Sequence, residues 1–139
     1  MKKLPHRIAV YAALALAMFV LVPAALADKG GKGKNSTPSE PSTITLSLLN
    51  STDGVAHYGQ SVTFNVSAPV MYPWVQLSCS QNGAPVFGQY IGFYATYQGS
   101  RTFVLSSYLW PGGAADCTAR LFDSWTDTTL ATTSFHVDA

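Results

Sequence analysis

The chain changes its hydrophobic pattern twice before a long stretch of short alternating segments begins. Residues 8–22 form an uncharged apolar run, residues 28–42 contain no apolar side chain, and residues 43–139 alternate apolar with polar positions. Alternation with a period of two residues is typical of a β-strand that has one buried face. No stretch of ten residues within 43–139 has the apolar spacing of a helix. The pattern therefore predicts an all-β domain.

The alternating segments predict about seven strands separated by turns. Asn82-Gly83 is the clearest turn, because both residues tolerate the positive φ that a two-residue hairpin requires. Trp110-Pro111-Gly112-Gly113 and residues 123–127 predict two more turns. Roughly one strand per 10–15 residues is typical of an antiparallel β-sandwich. The strands are predicted around residues 44–48, 62–68, 75–79, 86–91, 102–107, 117–122 and 130–137.

Residues 1–27 are predicted to be a signal peptide. Three basic residues precede the apolar run, a proline ends it, and Ala25-Leu26-Ala27 supplies small residues before a cleavage site. A retained membrane anchor is the alternative, but a spanning helix needs about 20 apolar residues and this run is shorter. We therefore expect cleavage after Ala27, no membrane span afterwards, and a secreted, extracellular protein.

Residues 28–42 are predicted to be a disordered linker, and residues 43–139 the folded domain. The linker is rich in Gly, Lys, Ser and Pro and has nothing apolar to bury. The domain carries only two basic residues, Arg101 and Arg120, against five aspartates, which gives a net charge of −3. Because nucleic-acid binding requires several Lys or Arg contacts to phosphate, we expect no nucleic-acid partner.

Cys79 and Cys117, the only cysteines, are predicted to form a disulfide. Two thiols in a small exported domain usually pair. A zinc site is the alternative, but the chain has no CxxC motif and no histidine close to either cysteine in sequence. Both cysteines lie on the apolar side of predicted strands, so the bond is expected in or beside the core.

Patterns that would indicate catalysis or metal binding are weak. The domain has no Glu, and most of its aspartates lie at predicted turns, where Asp is an ordinary turn residue. Asp53 near His57, and His136-Val137-Asp138, are the nearest approach to metal-ligand pairs. Asp123 and Asp127 lack the alternating acidic pattern of a calcium loop. We therefore expect no enzyme activity, no cofactor and no metal site.

Two short motifs resemble those of bacterial Ig-like domains. Residues 58–64, Tyr-Gly-Gln-Ser-Val-Thr-Phe, are similar to the start of the second strand in these domains. Residues 114–119, Ala-Ala-Asp-Cys-Thr-Ala, are similar to their penultimate strand. The resemblance spans residues 43–137 and implies an Ig-like antiparallel β-sandwich that serves spacing, adhesion or ligand contact. Two features depart from it: the first cysteine falls on the third predicted strand, and Ala115 stands where a tyrosine corner would have Tyr.

The aromatic side chains of the domain are its candidate binding groups. Segments 90–97 and 108–113 concentrate Tyr and Trp among small residues, where a ring can project and stack on a partner. Core and loop packing is the alternative role for these rings. We predict one exposed ligand-binding patch formed by Tyr94, Tyr97, Tyr108 and Trp110.

Two functional hypotheses follow from these observations. The leading one is a secreted, non-catalytic Ig-like module that acts in extracellular binding or adhesion, or as a structural element. The alternative is a small carbohydrate-binding β-sandwich module that uses exposed Tyr and Trp rings. The expected partner is accordingly an extracellular protein or a glycan.

Overall fold

The computed structural model describes residues 40–139, which contain eight strands and no helix. The predicted signal peptide and nearly all of the predicted linker lie outside these residues. Within the described range there is accordingly no helix long and apolar enough to cross a membrane. The strands are β1 (Thr43–Leu48), β2 (Ala56–His57), β3 (Ser61–Ser67), β4 (Pro73–Gln81), β5 (Ala84–Gly92), β6 (Phe103–Val104), β7 (Ala115–Asp123) and β8 (Thr128–Asp138).

The strands form two sheets, which confirms the all-β prediction. β1, β3 and β6 make a three-stranded antiparallel sheet with β3 in the middle. The larger sheet has the order β2-β8-β7-β4-β5, and its neighbours are antiparallel except for β2, which runs parallel to β8. β5 is therefore one edge of the larger sheet.

A single core lies between the two sheets, as expected for a sandwich. On β4, Val75 and Leu77 are fully buried, while Trp74 and Gln76 on the other face are half-buried. Burying a large apolar side chain contributes about 1.5–3 kcal/mol to folding. The face of β4 that carries the apolar side chains therefore points toward the core. Both sheets supply core residues: Ile44, Val62, Phe64 and Phe103 from the smaller one, and Val75, Leu77, Ala119, Leu121 and Val137 from the larger one.

The hairpin between β4 and β5 turns at Asn82-Gly83, as the sequence predicts. Asn82 has φ of 49° and Gly83 has φ of 80°. Two successive positive φ values match the twist of the flanking strands and favour a two-residue loop. The hairpin places the beginning of β4 beside the end of β5, where Trp74 is paired with Gly92.

Two strands differ from the predicted set. β2 has only two residues, too few for an alternating pattern to be recognised. The strand predicted over residues 102–107 shortens to Phe103–Val104, because the Ser106 N–H donates to the Val104 carbonyl at 2.7 Å in a tight turn. The Leu105 N–H bonds instead to the Gln60 carbonyl, at 2.8 Å.

The predicted disulfide between Cys79 and Cys117 is confirmed. The two residues are direct cross-strand partners on β4 and β7, with Cα atoms 4.0 Å apart. Such a short separation is typical of a non-hydrogen-bonded pair in an antiparallel ladder. Both side chains are buried in the core, so the bond joins two strands of one sheet.

Candidate functional site

Trp110 is a core residue, so the prediction of one exposed patch is wrong at this position. Its side chain is only 2% exposed, and its indole N–H donates to the Gly113 carbonyl at 3.1 Å. Gly112 and Gly113 have φ of 105° and 82°, a region that favours glycine. The small neighbours therefore let the chain fold back over the ring instead of exposing it.

Tyr108 is exposed but stands apart from the other predicted residues. Its side chain is 96% exposed, in the loop after β6, and it lines a groove beside β5. Tyr94 and Tyr97 are half-buried and pack on each other with ring centres 5.5 Å apart. No aromatic ring contact in residues 40–139 joins Tyr108 to that pair. The predicted patch is therefore reduced to Tyr94 and Tyr97.

Tyr94 and Tyr97 belong to a larger group of rings at one end of the five-stranded sheet. Ring centres are 5.1 Å apart for Tyr72–Tyr94, 5.9 Å for Trp74–Tyr97 and 6.1 Å for Tyr72–Trp125. Edge-to-face and tilted pairs at such distances contribute about 0.5–1.5 kcal/mol each beyond the area they bury. We call this group the terminal aromatic cluster; it consists of Tyr72, Trp74, Tyr94, Tyr97 and Trp125.

The antiparallel strand order explains why these rings meet. β4 begins at the end of the sheet where β5 and β7 finish, and Trp74 is paired with Gly92 on one side and Phe122 on the other. The remaining rings come from the segment before β4, the loop after β5 and the turn between β7 and β8. Three separate connections thus deliver their aromatic residues to one surface.

Two glycines make room for the Tyr97 ring. A Cβ at Gly92 would lie 2.6 Å from ring atoms of both Tyr94 and Tyr97, and one at Gly99 would lie 2.7 Å from the Tyr97 hydroxyl. The Tyr94 carbonyl accepts hydrogen bonds from the Arg101 guanidinium at 2.7 Å and from the Tyr97 N–H at 3.0 Å. The loop after β5 is therefore ordered around its own rings.

Trp125 is the exposed member of the terminal aromatic cluster. Its side chain is 79% exposed, yet its backbone is fixed: the Asp123 carboxylate accepts bonds from the Trp125 N–H and the Thr126 hydroxyl, both at 3.1 Å. The Ser124 hydroxyl donates to the Tyr72 carbonyl at 3.3 Å and ties the turn to the segment before β4. An indole on an ordered turn can bind a partner with little loss of conformational entropy.

Further aromatic and charged groups lie next to the cluster on the outer face of the larger sheet. Tyr90 and Phe122 meet edge-to-face at 6.2 Å, and the Arg120 guanidinium lies 4.7 Å from the centre of the Phe122 ring. Arg120 also donates to the Asp127 carboxylate at 2.9 Å, and the Gln76 amide donates to the Tyr90 hydroxyl at 2.7 Å. Polar side chains on this face are therefore held in place beside the rings.

The opposite end of the larger sheet carries histidine–aspartate pairs. His57 Nε2 lies 2.8 Å from the Asp53 carboxylate, and His136 Nδ1 lies 2.7 Å from the Asp116 carboxylate. The hydrogen bond between His57 and Asp53 raises the pKa of the histidine and lowers the pKa of the carboxyl group. Across residues 40–139, no three His, Cys, Asp or Glu side chains converge as metal ligands do.

Three members of the terminal aromatic cluster were missed by the sequence prediction. The Asn82-Gly83 hairpin could have identified Trp74, because it places the beginning of β4 beside the end of β5. Trp125 lies in the predicted turn over residues 123–127, where a side chain has no core face to occupy. Tyr72 gives no comparable signal, since it precedes β4 in an irregular segment.

No family model, curated protein or solved structure matches the chain.

The geometry of the terminal aromatic cluster is suited to contact with a partner. Besides the rings, the loop before β4 exposes Met71 to 77%. Exposed Met, Trp and Tyr side chains bind by burying apolar area and by stacking.

Proposed function

We propose that this protein is a secreted, non-catalytic Ig-like module that binds an extracellular protein through the terminal aromatic cluster. The observation that carries the proposal is Trp125, whose indole is 79% exposed on a hydrogen-bonded turn. Leaving a large apolar side chain in water forgoes about 1.5–3 kcal/mol of burial. A partner that covers the indole recovers that free energy, and Trp and Tyr are the side chains most often found as interface anchors.

The strand order supports the Ig-like assignment. An Ig sandwich places strands A, B and E in one sheet and strands C, F and G in the other. Here β1, β3 and β6 correspond to A, B and E, and β4, β7 and β8 correspond to C, F and G. β5 lies beside β4, as the added strand C′ does in variable-type domains. The disulfide departs from antibody domains, because it joins the equivalents of C and F.

Secretion is supported by two independent features of the chain. The disulfide between Cys79 and Cys117 is of the kind that persists in oxidising compartments outside the cytoplasm. The N-terminal sequence has a basic start, an apolar run and small residues before Asp28, which is the order that a signal peptidase recognises.

A carbohydrate-binding module is the second candidate, because Tyr72 and Trp125 present two neighbouring rings on which a sugar could stack. A sugar stacks best on a ring face or on rings that share a plane. These two rings are 6.1 Å apart but inclined by 39°, and Tyr72 meets Tyr94 nearly perpendicularly, at 86°. The rings therefore form an uneven surface, which suits a protein partner better than a sugar that stacks on a flat platform.

Trp125→Ala and Tyr108→Ala test the proposal as a matched pair. Both rings are exposed, to 79% and 96%, but only Trp125 belongs to the cluster. The immobilised protein first captures its partner from the extracellular milieu of the producing cells, and the purified partner is then titrated against each variant. We expect Trp125→Ala to weaken binding by about 30-fold, equivalent to about 2 kcal/mol, and Tyr108→Ala to leave it within about twofold.

The outcomes separate the two candidates. Full binding by the Trp125→Ala variant would overturn the cluster as the contact surface. A glycan-array signal that depends on Trp125, without capture of any protein, would select the carbohydrate-binding function instead.

A further inference from the structure

β5 is an edge strand whose second half lacks the usual protection against pairing, because its proline and the irregularity in its register with β4 both lie near its start. Its nine residues include no charged side chain, whereas edge strands normally carry lysine or other charges that prevent association. Its one proline, Pro85, lies near the start of the strand. Beside the strand runs a groove of about 480 Å³, with Val86, Phe87 and Leu109 in its lining.

The ladder between β4 and β5 shows which backbone groups of β5 point outward. The Phe93 N–H donates to the Pro73 carbonyl at 2.8 Å, toward β4. Because the direction alternates along an antiparallel strand, the backbone groups of Gln89 also point toward β4. Those of Gly88 and Tyr90 therefore point away from the sheet. Within residues 40–139, no hydrogen bond to another segment engages them.

The residues that flank Gly88 and Tyr90 along β5, Val86 and Gly92, are not available for pairing. The Val86 carbonyl accepts a hydrogen bond from the Ser107 hydroxyl. Gly92 is buried beneath rings of the terminal aromatic cluster. The open part of the β5 edge is thus limited to Gly88 and Tyr90, which offer two N–H and two C=O groups.

We propose that this open edge binds β5 of a second copy of the chain, antiparallel and with a two-fold axis at Gln89. In this register Gly88 of each copy faces Tyr90 of the other, and each such pair can exchange two N–H···O=C bonds. An axis at Gly88 would require Val86, whose carbonyl is taken, and an axis at Tyr90 would require the buried Gly92. The axis at Gln89 uses the open groups alone.

The side chains also fit this register. Gly88 has open space where a Cβ would be, and Tyr90 is 55% exposed on the same face. An aromatic ring opposite an edge glycine can cover it, and such cross-strand pairs stabilise sheets. Each copy supplies one glycine and one tyrosine, so the edge is complementary to itself, which favours a second copy over an unrelated extended peptide. The inference does not depend on the partner proposed above.

Gln89→Cys tests the register, because a residue on the two-fold axis meets its own copy. A non-hydrogen-bonded pair brings Cα atoms to about 4.5 Å, and the native disulfide joins such a pair at 4.0 Å. On mild oxidation of the full folded protein we expect an intermolecular disulfide at position 89, located by peptide mass spectrometry. Gln98→Cys, also exposed, is the control and should cross-link about tenfold more slowly.

Sedimentation equilibrium tests the dimer without a cross-link. Tyr90→Lys places two charges at the paired edge, and Gly88→Pro removes one outward N–H from each copy. We expect each change to lower the association constant by at least about tenfold. Circular dichroism identifies any variant that has unfolded, in which case the other variant decides.

Several outcomes would overturn the proposal. The wild-type protein could stay monomeric at about 1 mM, or positions 89 and 98 could cross-link equally. The dimer could also be as strong in the folded Tyr90→Lys and Gly88→Pro variants as in the wild type. Binding of an extended peptide to this edge by a protein that does not dimerise would overturn the choice of a second copy.

Discussion

Cys79 and Cys117 face each other directly across β4 and β7, with Cα atoms 4.0 Å apart, so the disulfide reinforces one sheet. In antibody domains, by contrast, the conserved disulfide connects the two sheets. Here the described residues contain no other disulfide, and the sheets are held together by side-chain packing. Phe64 on β3 and Phe135 on β8, with ring centres 6.4 Å apart, are one contact across the interface.

Replacing both cysteines by alanine should destabilise the domain by about 4 kcal/mol in the chain-entropy model, because the bond closes a loop with a sequence separation of 38. Chemical denaturation of the wild type and the Cys79→Ala/Cys117→Ala variant measures the difference. A reducing agent should lower the stability of the wild type alone. If the fully reduced wild type unfolds at the same denaturant concentration as the oxidised protein, the bond contributes nothing.

Trp110→Ala should destabilise the domain by about 3–5 kcal/mol, since it empties a core site that is 2% exposed. Trp125→Ala removes the same side chain from a site that is 79% exposed and should lower the stability by only about 0.5–1.5 kcal/mol, through the lost ring contact with Tyr72. Thermal melting of the two variants gives the comparison. Equal losses of stability would contradict the burial difference on which the choice of Trp125 as the contact residue depends.

Gly92→Ala should disturb the terminal aromatic cluster, because its Cβ would lie 2.6 Å from the rings of Tyr94 and Tyr97. We expect a loss of about 1–3 kcal/mol in stability from this crowding, together with weaker partner binding. Gly88→Ala, on the same strand but with open space at the Cβ, is the matched control for stability. Melting curves at low protein concentration that are identical for the two variants would show that the rings do not need Gly92.

The ion pair between His57 and Asp53 should make stability depend on pH. The pKa of His57 is raised from 6.5, so its contribution is complete below pH 6.5 and is lost as the pH rises through the raised value. The pKa of Asp53 is lowered from 3.8, so its contribution is complete above pH 3.8 and is lost as the pH falls through the lowered value. The ion pair therefore stabilises the fold fully between pH 3.8 and pH 6.5.

Asp53→Asn is the variant that tests this pH dependence. It should bring the pKa of His57 down toward 6.5 and reduce the loss of stability above that pH. NMR titration of the His57 ring and melting temperatures across the pH range provide the measurements. A titration midpoint of His57 that does not move in the variant would contradict the pairing.

The local features of the fold could be predicted from the sequence. The alternation along β4 depends only on neighbouring residues, and the Asn82-Gly83 turn follows from the φ preferences of two residues. Trp110 was wrongly predicted because distant contacts decide its burial. Tyr58, 52 residues away, donates its hydroxyl to the Trp110 carbonyl at 3.2 Å and packs its ring on the indole at 5.3 Å.

The terminal aromatic cluster was predictable only in part for the same reason. Tyr94 and Tyr97 are close in sequence, and Trp74 is brought to them by a single hairpin. Trp125 joins them because β7 pairs with β4, although β5 and β6 lie between these strands in the chain. That pairing depends on how the whole core packs, so no local period in the sequence indicates it.

When the domain is pulled from its two ends, the disulfide limits how far it can lengthen. At about 3.5 Å per extended residue, the 38-residue separation between Cys79 and Cys117 withholds about 130 Å of contour length. β5 and β6 lie inside this closed loop, whereas β1 and β8 lie outside it and can be peeled away. A stretching force would therefore extend only the segments on either side of a covalently locked centre.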